Sequence, residues 1–119
     1  DISTTAIGRA YIVALGQDER EILLNDIRID EEARWSVIKQ GINSALKCYS
    51  EHGYTESSGD WVPEYRAVGV PLKLVDGTIL AFNCGGYANR VTPELLGQMG
   101  EKLKFMTKQL LRAHGDHID

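Results

Sequence analysis

The fold is decided by residues 66–85, which read RAVGVPLKLVDGTILAFNCG. Apolar residues alternate with small ones on both sides of a central Asp76-Gly77 pair, the pattern of a β-hairpin. Successive strand side chains point to opposite faces, so this hairpin has two different faces. The first face carries the apolar residues Val68, Val70, Leu72, Leu74, Leu80, Phe82 and Cys84. The second face, called the small face below, carries Ala67, Gly69, Ala81, Asn83 and Gly85.

The length of the hairpin loop decides whether these faces exist, because a slip of one residue moves every side chain to the other side. A two-residue turn at Asp76-Gly77 would place Asn83 opposite Val70 and mix the faces. A three-residue loop with Gly77 in the left-handed conformation places Asn83 opposite Gly69. Burial of the apolar residues favours the three-residue loop. The small face is then a candidate pocket floor, although an ordinary half-buried hairpin explains the hairpin pattern equally well.

The composition fits one compact domain, because the chain has 119 residues and 43% of them are hydrophobic. The chain has 13 Lys and Arg against 17 Asp and Glu, so its net charge is −4. It contains no run of basic residues that could follow a phosphate backbone. We therefore do not expect this segment to bind DNA or RNA directly. The sequence has neither an apolar run long enough for a membrane helix nor a signal-peptide pattern. We expect a cytoplasmic protein.

Helix and strand signals around the hairpin predict an α+β fold. The first helix is capped by Thr4 or Thr5 and runs to about Leu15. The final helix has Thr92 as its cap and Pro93 at its first position. Between them the sequence predicts a short helix from Asp18 to Asn25-Asp26, a long helix from Asp30 to Gly53, a strand entered at Tyr54-Thr55, and a loop over residues 56–64.

Too few strands are predicted for the number of amphipathic helices. A sheet of at most three antiparallel strands is too small to cover all of these helices. Small isolated sheets are also only marginally stable in water. We therefore expect that some strands of the domain lie outside this chain.

The amino end of the first helix is a candidate anion site. The N–H groups of its first turn, at Ala6, Ile7 and Gly8, have no partner inside the helix, and the helix dipole is positive there. Ala6 and Gly8 are small and would let a ligand approach. Plain capping by Thr4 or Thr5 explains the same residues without a ligand.

The two cysteines give little support for catalysis. Cys48 and His52 lie four residues apart and share a helix face, but a nucleophile and a base also need an orienting group and an oxyanion site. We expect Cys48 and Cys84 to be buried thiols rather than reactive groups.

Acidic and metal-binding side chains have ordinary explanations as well. Glu56, Asp60 and Glu64 lie in a polar loop, where charges usually meet solvent. The sequence His-Gly-Asp-His at residues 114–117 contains metal-binding side chains, but its position near the chain end indicates a solvated terminus. We therefore predict no metal, no cofactor and no catalytic residue.

Several short motifs, taken in order, resemble the effector-binding domain of the isocitrate lyase regulator (IclR) family of bacterial transcription regulators. They are AIGRAYI at residues 6–12, HGY at 52–54, AVGVPL at 67–72, DG at 76–77, Gly86, and RV at 90–91. The resemblance covers essentially the whole chain. It implies that residues 1–119 form a GAF-like antiparallel sheet flanked by helices. It also implies that the domain is incomplete here, without its first strands and without the winged helix-turn-helix that precedes them in the family.

The resemblance further implies a ligand-sensing function. Family members bind a small, often anionic metabolite above the sheet, and binding changes how their DNA-binding modules sit on an operator. We accordingly expect a homodimer or tetramer that binds a small-molecule effector and contacts DNA only through the absent domain. The alternatives are a small cytoplasmic enzyme using Cys48 and His52 or loop carboxylates, and a purely structural dimerisation domain.

Carried over position by position, the resemblance places ligand-facing groups on the first helix and on the last strand. Backbone amides that meet the ligand in relatives fall at Ala6 and Ile7. The frequent family motif Ser-x-Ser-Gly corresponds to residues 83–86, which puts Asn83 and Gly85 at the two ligand-facing serines.

Further candidate ligand-binding residues follow from the same comparison and from the small face. A pocket cysteine of some relatives is Ala67 here, and an acidic pocket residue aligns near Ser57. Gly69 belongs to the small face, and Trp61 in the neighbouring loop suits stacking on a planar ligand. Compared with those relatives, this chain lacks two hydroxyls, a thiol and an acid in the pocket, so we expect an effector that is larger or less polar than a two-carbon acid. The expected effector is a carboxylate or an aromatic acid. Asp60 beside Trp61 could equally recognise an amine or a hydroxyl.

Overall fold

The computed structural model describes residues 1–113 and has the predicted α+β architecture. Its three antiparallel strands form one sheet in the order β1-β2-β3. The elements are α1 (Ala6–Ala14), α2 (Gln17–Asp30), a 3₁₀ turn (Glu32–Arg34), α3 (Trp35–His52), β1 (Thr55–Ser58), β2 (Tyr65–Lys73), β3 (Ile79–Tyr87) and α4 (Pro93–Ala113). None of the helices within residues 1–113 has the length and apolar character that crossing a membrane requires. The tail considered as a metal site, at residues 114–117, lies outside the described residues.

The β2–β3 hairpin has the predicted register. Gly69 lies opposite Asn83, and the Leu74 N–H donates to the Thr78 carbonyl at 2.8 Å, which leaves a three-residue loop between them. Gly77 in this loop has a φ of 91°, in the left-handed region that favours glycine. The small face predicted from the sequence therefore exists.

The apolar face of the hairpin is buried along β2 but largely open along β3. Val68 and Val70 pack in the core beneath α4. Leu80 and Cys84 are exposed, because β3 is an edge strand within the described residues and α4 lies mainly over β2. The prediction that Cys84 is buried is therefore wrong, whereas the half-buried Cys48 packs against the same core.

Two helix boundaries differ from the prediction. α2 continues past Asn25-Asp26 and ends at Asp30, since Ile27 packs into a core with Ile12 of α1. Burial of this apolar residue outweighs the weak helix propensity of Asn and Asp. The long helix predicted to start at Asp30 begins instead at Trp35, after the 3₁₀ turn.

The segment predicted as a loop over residues 56–64 begins as a strand. Thr55–Ser58 forms β1 and pairs antiparallel with β2, so only residues 59–64 form the loop. The hydroxyls of Thr55 and Ser57 are buried and donate to backbone carbonyls at the start of α1. This tertiary contact holds a polar strand in place, and local sequence signals do not report it.

The caps predicted for the first and last helices are confirmed, whereas Asp18, where the short helix was predicted to start, lies inside α2, whose N-cap is Gly16. The Thr5 hydroxyl oxygen accepts from the Gly8 N–H at 3.1 Å, and the Thr92 hydroxyl oxygen accepts from the Leu95 N–H at 3.1 Å. Gly53 ends α3 with a φ of 82°. Local chemistry thus determines where α1 and α4 begin and where α3 ends.

α1 lies on the small face of the sheet, on the side opposite to α4. The Thr55 hydroxyl donates to the Ala6 carbonyl at 2.9 Å, and the Ser57 hydroxyl donates to the Thr4 carbonyl. A Cβ atom at Gly69 would stand 2.3 Å from the Ala6 carbonyl oxygen, so a side chain there would push the helix away. The amino end of α1 is therefore fixed directly above the small face.

Gly100 in α4 provides a test of the packing on the other face. A Cβ atom at Gly100 would lie 2.7 Å from ring atoms of Tyr54, whereas one at Gly97 in the same helix would meet the Tyr54 hydroxyl at 3.7 Å. We expect Gly100→Ala to lower the free energy of unfolding by about 1–3 kcal/mol through overpacking. The control Gly97→Ala should raise it by about 0.5–1 kcal/mol through helix propensity. Urea denaturation measures both values, and stabilisation by both variants would contradict the packing of α4 on Tyr54.

Candidate ligand-binding site

A cavity of about 280 Å³ lies between the first turn of α1 and the small face of the sheet, and we call it the α1 cavity. Its lining residues are Thr5, Ala6, Ile7, Ser57, Trp61, Tyr65, Ala67 and Asn83. None of these side chains is charged. The lining includes every residue proposed from the sequence except Gly69 and Gly85.

The two remaining glycines support the α1 cavity without lining it. Gly69 lies under the Ala6 carbonyl and lets α1 approach the sheet. A Cβ atom at Gly85 would lie 2.7 Å from the Tyr65 hydroxyl and 2.8 Å from the Ala67 Cβ. Gly85 therefore makes room for the tyrosine beside the cavity floor.

Tyr65 lines the α1 cavity although it was not singled out from the sequence. It stands on β2 two residues before Ala67, so the same period of two places it on the small face. Its ring packs edge-on against Trp61, with 5.6 Å between centroids, and against Tyr87, with 6.0 Å between centroids. Tyr65 and Trp61 thus give the cavity an aromatic wall.

The first turn of α1 offers hydrogen-bond donors to the cavity. The Gly8 N–H donates to the Thr5 hydroxyl oxygen, and the Arg9 N–H donates to the Thr5 carbonyl. Within residues 1–113, the N–H groups of Ala6 and Ile7 donate no hydrogen bond. Unpaired amides at the positive end of a helix dipole favour anionic groups. This part of the cavity is suited to a carboxylate.

Two polar side chains lie at the cavity floor and offer different chemistry. The Ser57 hydroxyl is buried and already donates to the Thr4 carbonyl, so it can only accept from a ligand. Asn83 is exposed, and its side chain makes no hydrogen bond to another part of residues 1–113. Its amide is therefore free both to donate and to accept.

Asp60 does not line the α1 cavity, in contrast to the expectation that it recognises an amine or hydroxyl there. Its Oδ2 accepts from Arg9 Nη1 at 2.7 Å. Asp60 lines a second cavity of about 300 Å³, together with Arg9, Cys48 and Glu56. Asp60 and Trp61 are neighbours in the chain but line different cavities.

The Cys48–His52 pair lacks the properties of a catalytic dyad. Burial, with smaller contributions from the charges of Glu56 and Glu51, raises the pKa of the Cys48 thiol to about 11. Such a thiol is protonated at neutral pH and is a weak nucleophile. The His52 ring stacks on Tyr54 with 5.6 Å between centroids. The described part of the chain also holds no group of three or more His, Cys, Asp or Glu side chains that could bind a metal ion.

Comparison with known proteins finds solved structures that are similar to this chain. No protein-family model matches the sequence, and no curated protein matches it. An IclR family transcriptional regulator from Brucella abortus is 33% identical with a TM-score of 0.90, over 94% of this chain and 43% of that one. The IclR protein of Thermotoga maritima is 17% identical with a TM-score of 0.72, over 95% of this chain and 47% of that one.

A third similar structure comes from a single domain. It is a double mutant of the inducer binding domain of the PobR transcription factor from Acinetobacter, in complex with 3-hydroxybenzoic acid. It is 18% identical with a TM-score of 0.52, over 87% of this chain and 66% of that one. The chain spans less than half the length of the Brucella and Thermotoga regulators.

These likenesses assign to the chain the fold of transcriptional regulator domains, among them the PobR inducer binding domain. The α+β fold and the ordered motifs of the sequence agree with the same assignment. Over 94% of its length, the chain is thus similar in sequence and fold to an IclR family transcriptional regulator.

Proposed function

We propose that this chain is the ligand-sensing domain of a transcriptional regulator and that its α1 cavity binds a small aromatic carboxylate. One arrangement carries the proposal: two unpaired amides of α1 meet a neutral cavity that has an aromatic wall. The amides suit a carboxylate, and the rings of Trp61 and Tyr65 suit a planar ligand. The PobR inducer binding domain in complex with 3-hydroxybenzoic acid supports the same class of ligand.

The volume of the α1 cavity limits the size of this ligand. Its value of about 280 Å³ lies just below the roughly 300–1,000 Å³ that is typical of ligand pockets. A single aromatic ring with one carboxylate suits this space. A two-carbon acid would leave the aromatic wall unused, and Asn83 is placed to recognise a polar substituent on a ring.

We propose that the ligand acts through α1. A bound carboxylate would accept hydrogen bonds from the Ala6 and Ile7 amides and so add to the contacts that hold this helix on the small face. Binding alters operator affinity only if the ligand favours one arrangement of the regulator over another. In this proposal, DNA is contacted by another domain of the whole regulator, which works as a homodimer or tetramer.

Substitutions at the cavity floor test the proposed binding site. Isothermal titration with 3-hydroxybenzoate, benzoate and glyoxylate should give tighter binding of the aromatic acids than of glyoxylate. Asn83→Ala should weaken 3-hydroxybenzoate binding about two- to tenfold, because it removes one hydrogen bond. Ala67→Trp should abolish binding by filling the cavity. The control Asn89→Ala, at an exposed turn residue after β3, should leave the Kd unchanged.

Circular dichroism melts show whether the floor variants are folded. Asn83 is exposed, so its variant tests the site even if the larger Ala67→Trp change impairs folding. Equal Kd values for the wild type, Asn83→Ala and folded Ala67→Trp would contradict the α1 cavity as the binding site. A glyoxylate affinity above that of both aromatic acids would contradict the proposed ligand class.

The reactivity of Cys48 separates the sensor from the enzyme alternative. With a pKa of about 11 against an ordinary 9.0, its thiolate fraction at pH 7 is roughly a hundredfold below that of an ordinary thiol. We expect slow iodoacetamide labelling of Cys48 in Cys84→Ser protein, with a rate that rises until the pH passes about 11. Exposed Cys84 in Cys48→Ser protein should react faster and serves as the control. Fast labelling of Cys48 at pH 7 would favour the enzyme.

A further inference from the structure

Arg9 of α1 is a buried cation that joins three parts of the fold. Its Nε donates to the Ser3 carbonyl at 3.1 Å, and its Nη1 donates to the Glu56 carbonyl of β1 at 3.0 Å. Nη1 also donates to Asp60 Oδ2 at 2.7 Å, in the loop at residues 59–64. The side chain of Arg9 is only 4% exposed. The guanidinium is therefore a fixed point to which the loop is attached.

α3 packs closely against the same guanidinium at Gly41. A Cβ atom at Gly41 would lie 2.3 Å from Arg9 Nη2, so the absence of a side chain at this helix position leaves space for the cation. The backbone carbonyls of Ser3 and Glu56 would hold Arg9 even without Asp60, because they accept from it independently. Removing the Asp60 charge should thus free the loop and leave the Arg9 contacts with the rest of the fold.

The loop at residues 59–64 is held by this ion pair, by the packing of the Trp61 ring on Tyr65, and by backbone hydrogen bonds that include one from the Ala88 N–H to the Glu64 carbonyl at 2.6 Å. Backbone hydrogen bonds close it at Gly59, whose N–H donates to the Tyr65 carbonyl at 2.9 Å, and at Tyr65, whose N–H donates to the Val62 carbonyl at 2.9 Å. Among the described residues, Asp60 makes the one side-chain hydrogen bond from the loop. The next residue, Trp61, lines the α1 cavity and remains 55% exposed.

We propose that Arg9 and Asp60 are positioning residues that hold Trp61 against the α1 cavity and thereby determine how tightly a planar ligand is bound. The ion pair lies outside the α1 cavity, so it acts through the position of the loop. The consequence for ligand binding rests on the proposed function, whereas the anchoring of the loop can be measured without any ligand.

The position of Trp61 can be followed by fluorescence, since the chain has two tryptophans and Trp35→Phe leaves only Trp61. In this background we compare Asp60→Asn with Glu64→Gln, a matched loss of charge at an exposed carboxylate in the same loop. Asp60→Asn should increase acrylamide quenching of Trp61, and Glu64→Gln should not. Hydrogen exchange at the Gly59 and Tyr65 amides should become roughly two- to fivefold faster in Asp60→Asn, as expected for loss of an ion pair with one exposed partner.

The thermal midpoint distinguishes loop anchoring from a general structural role. Anchoring predicts that Asp60→Asn changes the Tm little and speeds exchange mainly in the loop. Unchanged quenching and exchange in Asp60→Asn would overturn the proposal. A lowered Tm with faster exchange throughout α1 and β1 would overturn it as well, because Asp60 would then support the whole fold.

Titration with 3-hydroxybenzoate separates this inference from the proposed function. If the wild type binds, Asp60→Asn should raise the Kd roughly two- to fivefold and Glu64→Gln should leave it unchanged. An unchanged Kd in Asp60→Asn would overturn the role of the pair in binding. Absence of binding to the wild type, with the loop effects present, would instead contradict the proposed ligand while leaving the anchoring intact.

Discussion

The close approach of α1 to the sheet at Gly69 is the constraint on which the site depends. A Cβ atom at residue 69 would clash with the Ala6 carbonyl, which accepts a hydrogen bond from the Thr55 hydroxyl at 2.9 Å. This contact holds the helix down at one point. The neighbouring floor residue, Ala67, has a small side chain, so open space remains between it and α1. That space is the α1 cavity. Close packing and an open pocket thus arise from the same set of small residues.

The interface between α1 and the sheet contains several buried polar residues. Ser3, Thr4, Arg9, Thr55 and Ser57 are all buried at this side of the molecule. Burying polar groups costs free energy unless each finds a partner, and within residues 1–113 no buried side-chain nitrogen or oxygen lacks one. A small shift of α1 would break several of these hydrogen bonds together. The helix is therefore held in one position relative to the cavity floor, which is what a site that recognises a carboxylate through backbone amides requires.

The features that could be predicted from the sequence are those set by local chemistry. Burial of the apolar residues favoured the three-residue loop with Gly77 left-handed, and so the composition of the small face, and Thr4 or Thr5 marked the start of α1. The Arg9–Asp60 pair could not be predicted, because its partners are 51 positions apart and each residue alone is an ordinary surface charge in sequence. Tyr65 follows the same two-residue period and lies one position before the hairpin sequence at residues 66–85. A long-range contact thus accounts for the missed Arg9–Asp60 pair, whereas the strand period was sufficient to find Tyr65.

The central claim is that a carboxylate ligand binds between the first turn of α1 and the small face. It is tested most directly by recording amide and indole chemical shifts of the isotope-labelled protein during titration with 3-hydroxybenzoate. We expect the largest changes at the amides of Ala6 and Ile7 and at the indole of Trp61. Changes concentrated around Ser44 and Cys48 at the second cavity, or no change at saturating concentration, would contradict the claim.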